Sequence, residues 1–303
     1  MDIVPTAKKI SHINLYSKNG IAQQISAKYF ALCAGGIENS RLLLWSNQLH
    51  RSGVVPNSQT LGKYWMEHPV YKAGDTALYT FTKLHVKHSL GLRFYAPTSK
   101  FLHAHGIGNF GMRLTTGENP IKALIKDGLC IAPNFFTTLA QKANEGLVCS
   151  AELRLAWEQI PVSENRIELS NEKDALGMPR TNLYWKKQPQ DRTSAEAAMK
   201  LFGSYLIKEN LGRAKVVSWL ANGKDYPEDD ERISFHHMGG TRMASTSAEG
   251  IVDANCKVFG VDNLYIGGSS VFPTGGHANP TYTIVQLALR LGDHIAQKEA
   301  KSV

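Results

Sequence analysis

Residues 10–16 alternate apolar and polar side chains (Ile10, His12, Ile13, Asn14, Leu15), turn at Lys18, Asn19 and Gly20, and resume alternation over 21–26, which predicts antiparallel strands of a meander. Residues 29–34 (Tyr29, Phe30, Ala31, Leu32, Cys33, Ala34) lack polar interruptions, as a strand buried on both faces does. That run enters Gly35 and Gly36. Beyond them Ile37, Arg41, Leu44 and Trp45 recur at helical spacing, so strand, glycine turn and helix form a βα unit of doubly wound type. From 60 to 190 the pattern changes to short alternating runs at 76–83, 91–95, 128–138 and 152–159. A hairpin follows, pairing 166–170 with 181–185 across a polar turn at 171–174. Thr193 and Glu196 have capping-box spacing and predict a helix running to about Asn210, with Gly212 beyond its end. Near the C-terminus, 263–267 reads as a buried strand. Residues 281–297 read as a helix whose Ile284, Leu287, Ala288, Leu291 and Ile295 form one stripe.

These elements predict an α+β or α/β chain. Residues 1–60 and 233–303 form one discontinuous α/β domain, and 61–232 form an inserted domain built mainly on an antiparallel sheet. Ala34 and Gly267 are expected side by side. At 303 residues, with 43% hydrophobic and 20% charged positions, the chain can bury a real core, which excludes a disordered or fibrous protein. The formal charge of +8 comes from scattered lysines and arginines, not from a basic stripe interleaved with aromatics, so no nucleic-acid face is expected. Residues 263–289 contain no Asp, Glu, Lys or Arg. Gly267, Gly268, Pro273, Gly275, Gly276 and Pro280 interrupt them, so no membrane span is expected. The first residues lack a secretory leader pattern. Four dispersed cysteines (Cys33, Cys130, Cys149, Cys256) form no Cys-x-x-Cys pair and fit a reducing, cytoplasmic setting.

Gly106, Gly108 and Gly111 spell a literal dinucleotide fingerprint, which requires a strand before it and a helix after it. Residues 101–105 and 112–117 both read as strand and turn, so these are expected to be sheet glycines. Gly35 and Gly36 stand where a nucleotide does bind such a fold, or where strand and helix merely cross closely. The tail holds the more unusual chemistry. His236 and His237 precede a small-residue turn, an arrangement that can hold an imidazole by backbone contacts at a cavity wall. Pro280 suits the first position of a helix, with Asn279 before it. Asn279 is then either an ordinary cap or a group facing a ligand at the positive helix end. A zinc site from His236, His237 and His277 lacks ligand spacing and a carboxylate or thiolate partner. Gly268, Ser269 and Ser270 make no nucleophile elbow, so a serine hydrolase is not expected. His68, His103, His105 and His294 read as solvated or core residues.

Four ordered stretches, 27–44, 61–69, 169–179 and 236–295, together resemble the glucose-methanol-choline (GMC) family of FAD-dependent alcohol and sugar oxidoreductases. The resemblance implies a partial FAD-binding α/β domain with an inserted substrate domain, and an enzyme acting on CH–OH groups. It implies His237, four positions before Thr241, as catalytic base and Asn279 as the second active-site group, both facing the flavin. The cofactor-binding set it implies is Ala34, Gly35, Gly268, Ser269, Asn279, Pro280 and Thr281, with no metal. Gly268 stands where many members carry an FAD-binding aspartate, a departure shared with a branch of pyranose- and fructose-oxidising enzymes, which implies a sugar-type substrate. Family members open with a strand and Gly-x-Gly-x-x-Gly, and nothing of the kind precedes Asp2. The chain is therefore expected to be the C-terminal part of such an enzyme, with FAD affinity depending on that other half. The alternative expectation is a non-catalytic remnant, or a subunit whose second chain supplies the missing half.

Overall fold

The computed structural model describes every residue except 18, 20–21, 52, 79–85, 88–93, 116–131, 133–148, 228–234 and 302–303. The strand expected at 128–138 lies outside the described residues, as do Cys130 and most of 91–95. Strands β1 (Asp2–Thr6), β2 (Lys9–Tyr16) and β3 (Ala22–Ile25) form the antiparallel meander, with β1 added to the pattern read from sequence. Asn263 locks this meander to the rest: its side-chain carbonyl accepts from Ile10 N–H at 2.7 Å and its amide donates to Ile10 C=O at 2.9 Å.

Strand β4 (Phe30–Leu32) leads through Gly35 and Gly36 into helix α1 (Glu38–Leu49), so the βα unit is present. The hairpin β9 (Arg166–Lys173) and β10 (Pro179–Tyr184) docks on that helix. Arg41 donates to Asp174 at 2.6 Å and to Pro179 C=O at 2.7 Å, which holds the Asp174 carboxyl below its usual range. Strand β12 (Leu264–Ile266) runs parallel to β4 with Leu32 opposite Ile266, so Ala34 and Gly267 leave the sheet side by side. The expected burial of 29–34 on both faces is not found. Phe30 and Leu32 are buried, but Ala31, Cys33 and Ala34 are exposed, because no third strand joins the pair among the described residues.

The second sheet has the order β11-β5-β8-β7-β6, with β5 (Val70–Leu78), β6 (Val86–Lys87), β7 (Phe110–Thr115), β8 (Cys149–Trp157) and β11 (Gly212–Val216). All its neighbours are antiparallel except β6 and β7. Helix α3 (Pro189–Lys208) covers it with Ala195, Ala198, Met199, Phe202 and Leu206, and Tyr71 packs on Trp157. Among the described residues there are thus two hydrophobic cores. One gathers Ile3, Leu43, Met66, Val258 and Ile266, the other Tyr71, Leu153, Trp157 and Phe202.

Two local expectations are corrected. Residues 99–105 form helix α2 (Ser99–His105), not a strand: Thr98 caps its start by accepting from Phe101 N–H, and Gly106 ends it in the left-handed conformation. Gly106 is therefore a helix cap, and only Gly111 of the three fingerprint glycines lies in a strand. Helix α3 begins at Pro189 and not at Thr193. The reciprocal capping bonds belong to Gln188 and Asp191, where proline's fixed φ favours helix entry. A short helix α4 (Ser218–Ala221) follows β11, and α5 (Thr281–Ala300) closes the chain. No helix among the described residues is long and apolar enough to cross a membrane.

Candidate active site

Because β4 and β12 are parallel, both deliver their C-terminal ends to one edge, the edge at which α/β folds bind ligands. Asn39, fully buried in the first turn of α1, ties these ends together. Its carbonyl accepts from Ala34 N–H at 2.8 Å, and its amide donates to Gly267 C=O at 2.9 Å and Ser270 Oγ at 2.8 Å. Gly268 follows at φ +101°, a conformation that would strain an aspartate there, and a Cβ at Gly35 or Gly268 would meet nothing within 4 Å. The backbone at both positions borders open space.

The segment from His236 to Met243 lies against this edge. Gly239, Thr241 and Met243 N–H groups donate to the carbonyls of Ser269, Ser270 and Val271 at 3.1, 3.0 and 2.8 Å. Met238 and Met66 exchange both backbone bonds on the other side. Ser269 Oγ donates to His237 C=O at 2.6 Å, so this serine, expected to touch a cofactor, also fixes the backbone of the histidine step. Gly36 permits the approach: a Cβ there would stand 2.5 Å from His237 O and 2.7 Å from His237 Cβ. The half-buried His237 ring leans on Trp65 with centroids 5.5 Å apart and makes no side-chain hydrogen bond among the described residues.

His236 sits in a side-chain cluster and not, as expected, on backbone contacts alone. Its Nδ1 lies 2.6 Å from Nε2 of His68, which is buried. The buried Glu67 carboxylate accepts the His236 N–H at 3.0 Å and the His68 N–H at 3.1 Å. Sequence reading placed His68 among core or solvated residues and passed over Glu67. Their signal was the Glu67-His68-Pro69 run within 61–69. A carboxylate partner for the histidines thus exists, yet a tetrahedral zinc ion holding two imidazole nitrogens at about 2.0–2.1 Å separates them by about 3.3 Å. At 2.6 Å the two rings bond each other.

Burial, then the charges of His236 and His277, pushes the His68 imidazole down to about 4; burial also lowers His236, His237 and His277. Each of these shifts favours the neutral ring, the state a proton acceptor needs. In a proton NMR titration the His68 ring signals are expected to stay still from pH 8 to pH 5, and a midpoint near the usual 6.5 would contradict this packing.

His277 closes another side of the site. Its Nδ1 is 3.2 Å from Asn109 Oδ1, and its ring packs over Gly111 and near Phe94. Pro280 stands at the cap of α5, one position before its expected place; its carbonyl accepts from Ile284 N–H, and no side chain caps the helix. Asn279 is exposed and makes no side-chain hydrogen bond among the described residues, so it is not an ordinary cap. Thr281 is exposed in the first turn. No hydrogen bond joins His237 to Asn279. The N-terminus of α5 offers N–H groups that have no side-chain cap among the described residues and a positive dipole end.

The GMC oxidoreductase family model matches residues 161–288. The chain is 25% identical over 288 residues to 2-methyl-1,2-propanediol dehydrogenase of Mycolicibacterium austroafricanum, covering 93% of this chain and 50% of that protein. It is 22% identical over 311 residues to the fructose dehydrogenase large subunit of Gluconobacter japonicus, covering 95% and 50%. The chain therefore spans about half the length of the curated relatives it matches. Among solved structures, pyridoxine 4-oxidase from Mesorbium loti aligns at TM-score 0.58 and 14% identity, covering 98% of this chain and 56% of the other. A formate oxidase of Aspergillus oryzae aligns at 0.55 and 15%, covering 99% and 60%. Residues 161–288, the segment similar to the GMC oxidoreductase family, hold both the His236–His237 step and the head of α5.

Proposed function

We propose that this chain binds the flavin end of FAD and oxidises a CH–OH group of an alcohol or sugar. The diol dehydrogenase and the fructose dehydrogenase subunit among its relatives support the substrate class, and the structurally similar formate oxidase is known for FAD modification. The residues present fit that end of the cofactor. The backbone at Gly35 and Gly268 borders open space, and the uncapped head of α5, with Asn279, Pro280 and Thr281, presents N–H groups suited to an electron-rich ring edge. Ala34 and Ser269 complete the crevice at the strand ends. When bound, FAD supplies the hydride acceptor.

The observation that carries the proposal is a pair of adjacent imidazoles held at the carboxyl edge of parallel strands. In this reading an imidazole of the His236–His237 step takes the substrate hydroxyl proton, and the free Asn279 amide holds the same oxygen. His237, the base expected from the family resemblance, is the first candidate: its ring rests on Trp65 and makes no side-chain hydrogen bond among the described residues. His236, whose Nδ1 is engaged by His68, is the second candidate. In flavin-loaded protein offered a panel of alcohols and sugars, His237→Ala is expected to slow anaerobic bleaching of the flavin absorbance by about a hundredfold or more. The same loss in His236→Ala alone would move the role there, and normal bleaching in both variants would remove the step from the chemistry.

A further protein segment or second chain belongs to the proposal. Ile284, Leu287, Leu291 and Ile295 of α5 pack on the core, while Tyr282, Val285 and Leu289 form a second, exposed apolar ridge at 76%, 48% and 60% exposure. These 303 residues purified by themselves are expected to self-associate and to hold little flavin. A monodisperse monomer carrying stoichiometric FAD, by sedimentation and absorbance, would argue that nothing else is needed.

A further inference from the structure

We propose that His277 is a positioning residue: seated on Gly111 and bonded to Asn109, it ties the loop that carries Asn279 to the inserted sheet and so fixes where the Asn279 amide meets the substrate oxygen. The inference rests on the role proposed above for Asn279 and deepens it. Three observations carry it. The first is how little else holds the loop. Residues 273–279 connect the buried Phe272 to the buried Pro280, include Gly275 and Gly276, and make no backbone hydrogen bond among the described residues. A free stretch with adjacent glycines has much conformational entropy to lose, so a contact must select its conformation. Among the described residues, the one side-chain hydrogen bond of this stretch is the 3.2 Å contact of His277 Nδ1 with Asn109 Oδ1. Asn279 is thereby bracketed, with Pro280 on one side and His277 two positions before it on the other.

The second is the seat. A Cβ at Gly111 would stand 2.7 Å from His277 Nε2 and closer still to Cδ2, so the imidazole lies where a side chain of β7 would otherwise project. The Phe94 ring flanks it with centroids 5.6 Å apart. A glycine inside a strand commonly marks the close approach of another group, and here that group comes from the C-terminal segment.

The third is the post to which the loop is tied. Asn109 C=O accepts from Glu158 N–H at 2.7 Å, and its N–H donates to the Glu158 carboxylate at 3.1 Å. The neighbouring Gly108 N–H donates to Ser194 Oγ of α3 at 3.1 Å. Asn109 therefore moves with β7, β8 and α3, and His277 passes their position on to the loop. An amide offers both an acceptor and a donor, so Asn109 can meet Nδ1 of either neutral tautomer, and the tie does not depend on which ring nitrogen holds the proton. A group that must hold the same oxygen the base deprotonates gains from such a fixed mount, because a displacement of about 1 Å can cost about 10²-fold.

The test is limited digestion of the full chain with proteinase K, the cuts being mapped by mass spectrometry. His277→Ala is expected to speed cutting within 273–279 about tenfold, the factor that losing one hydrogen bond of ordinary strength brings to a local opening equilibrium. Gly111→Ala should do nearly the same, because its methyl expels the ring from the seat. The double variant should be cut no faster than His277→Ala, since no ring remains to be expelled. His277→Asn keeps a polar atom within reach of Asn109 and should restore most of the protection. In flavin-loaded protein the two single variants should lower kcat about tenfold with a smaller change in KM, and His277→Asn should recover most of it. Unchanged cutting in His277→Ala overturns the proposal, as do additive effects in the double variant or a His277→Asn no better protected than His277→Ala. The expected cutting pattern together with undiminished turnover in Asn279→Ala would instead defeat the reading of Asn279 and leave the anchor standing.

Discussion

Gly36→Ala is expected to cost about a hundredfold in turnover of the flavin-loaded protein, a large effect for one methyl group. The added Cβ would stand 2.5 Å from His237 O, 2.7 Å from His237 Cβ and 2.9 Å from His237 C, so the obstacle is mostly backbone and cannot swing aside. Relief requires the His236–His237 step to retreat from the strand ends, which strains the Ser269 bond to His237 C=O. A displacement of about 1 Å in a catalytic group is enough for a loss of about 10²-fold. Gly35→Ala is the control. Gly35 is also a glycine of the same turn, with φ +95°, but a Cβ there meets nothing within 4 Å, so its cost is local backbone strain. Steady-state kinetics on the two variants decides the matter: equal, mild losses in both would mean that Gly36 does not set the position of the histidine step.

The second large effect falls on stability. Asn39→Leu keeps the branched shape of the side chain but removes the acceptor for Ala34 N–H and the donor to Gly267 C=O and Ser270 Oγ. Asn39, Gly267 and Ser270 are buried, so water does not replace the two bonds the amide donates, whereas the Ala34 N–H is only part-buried and can be rehydrated. At about 1–3 kcal/mol for each orphaned buried group, the loss is about 2–4 kcal/mol, with the serine hydroxyl free to turn elsewhere. For a chain of this size that lowers the thermal midpoint by roughly 5 °C. Calorimetry on Asn39→Leu would show it, and a shift of only a degree or two would mean that the strand ends are held together by the β4–β12 pairing alone. Because Ala34 and Gly267 open onto the proposed flavin crevice, flavin affinity should fall in the same variant.

Much of the fold was legible because its signals are local. Alternation marked the meander and the β9–β10 hairpin, and the apolar run before Gly35 marked a strand entering a helix. Local signals also misled. The 101–105 run has an apolar and polar alternation, but Thr98 and Gly106 cap it at both ends as a helix. Thr193 and Glu196 have the spacing of a capping box, yet Pro189 starts the helix a turn earlier. Both errors arose where capping groups outside the window under view decided the outcome.

The sequence by itself determined which chemistry is available: two adjacent histidines before a small-residue turn, a glycine turn after an apolar strand, and an asparagine and proline ahead of an amphipathic helix. Motif order carried these to a family because each is a contiguous run whose meaning does not depend on distant residues. Tertiary structure alone decided how the runs combine. Asn39 bonds Gly267 and Ser270 across 228 and 231 positions, His68 meets His236 across 168 positions, and His277 reaches Asn109 across the same separation. No spacing rule anticipates such pairs, since a side chain's partner is set by the sheet register and loop closures that bring two segments together. A histidine that reads as an ordinary core residue becomes part of a site only when another ring is folded against it.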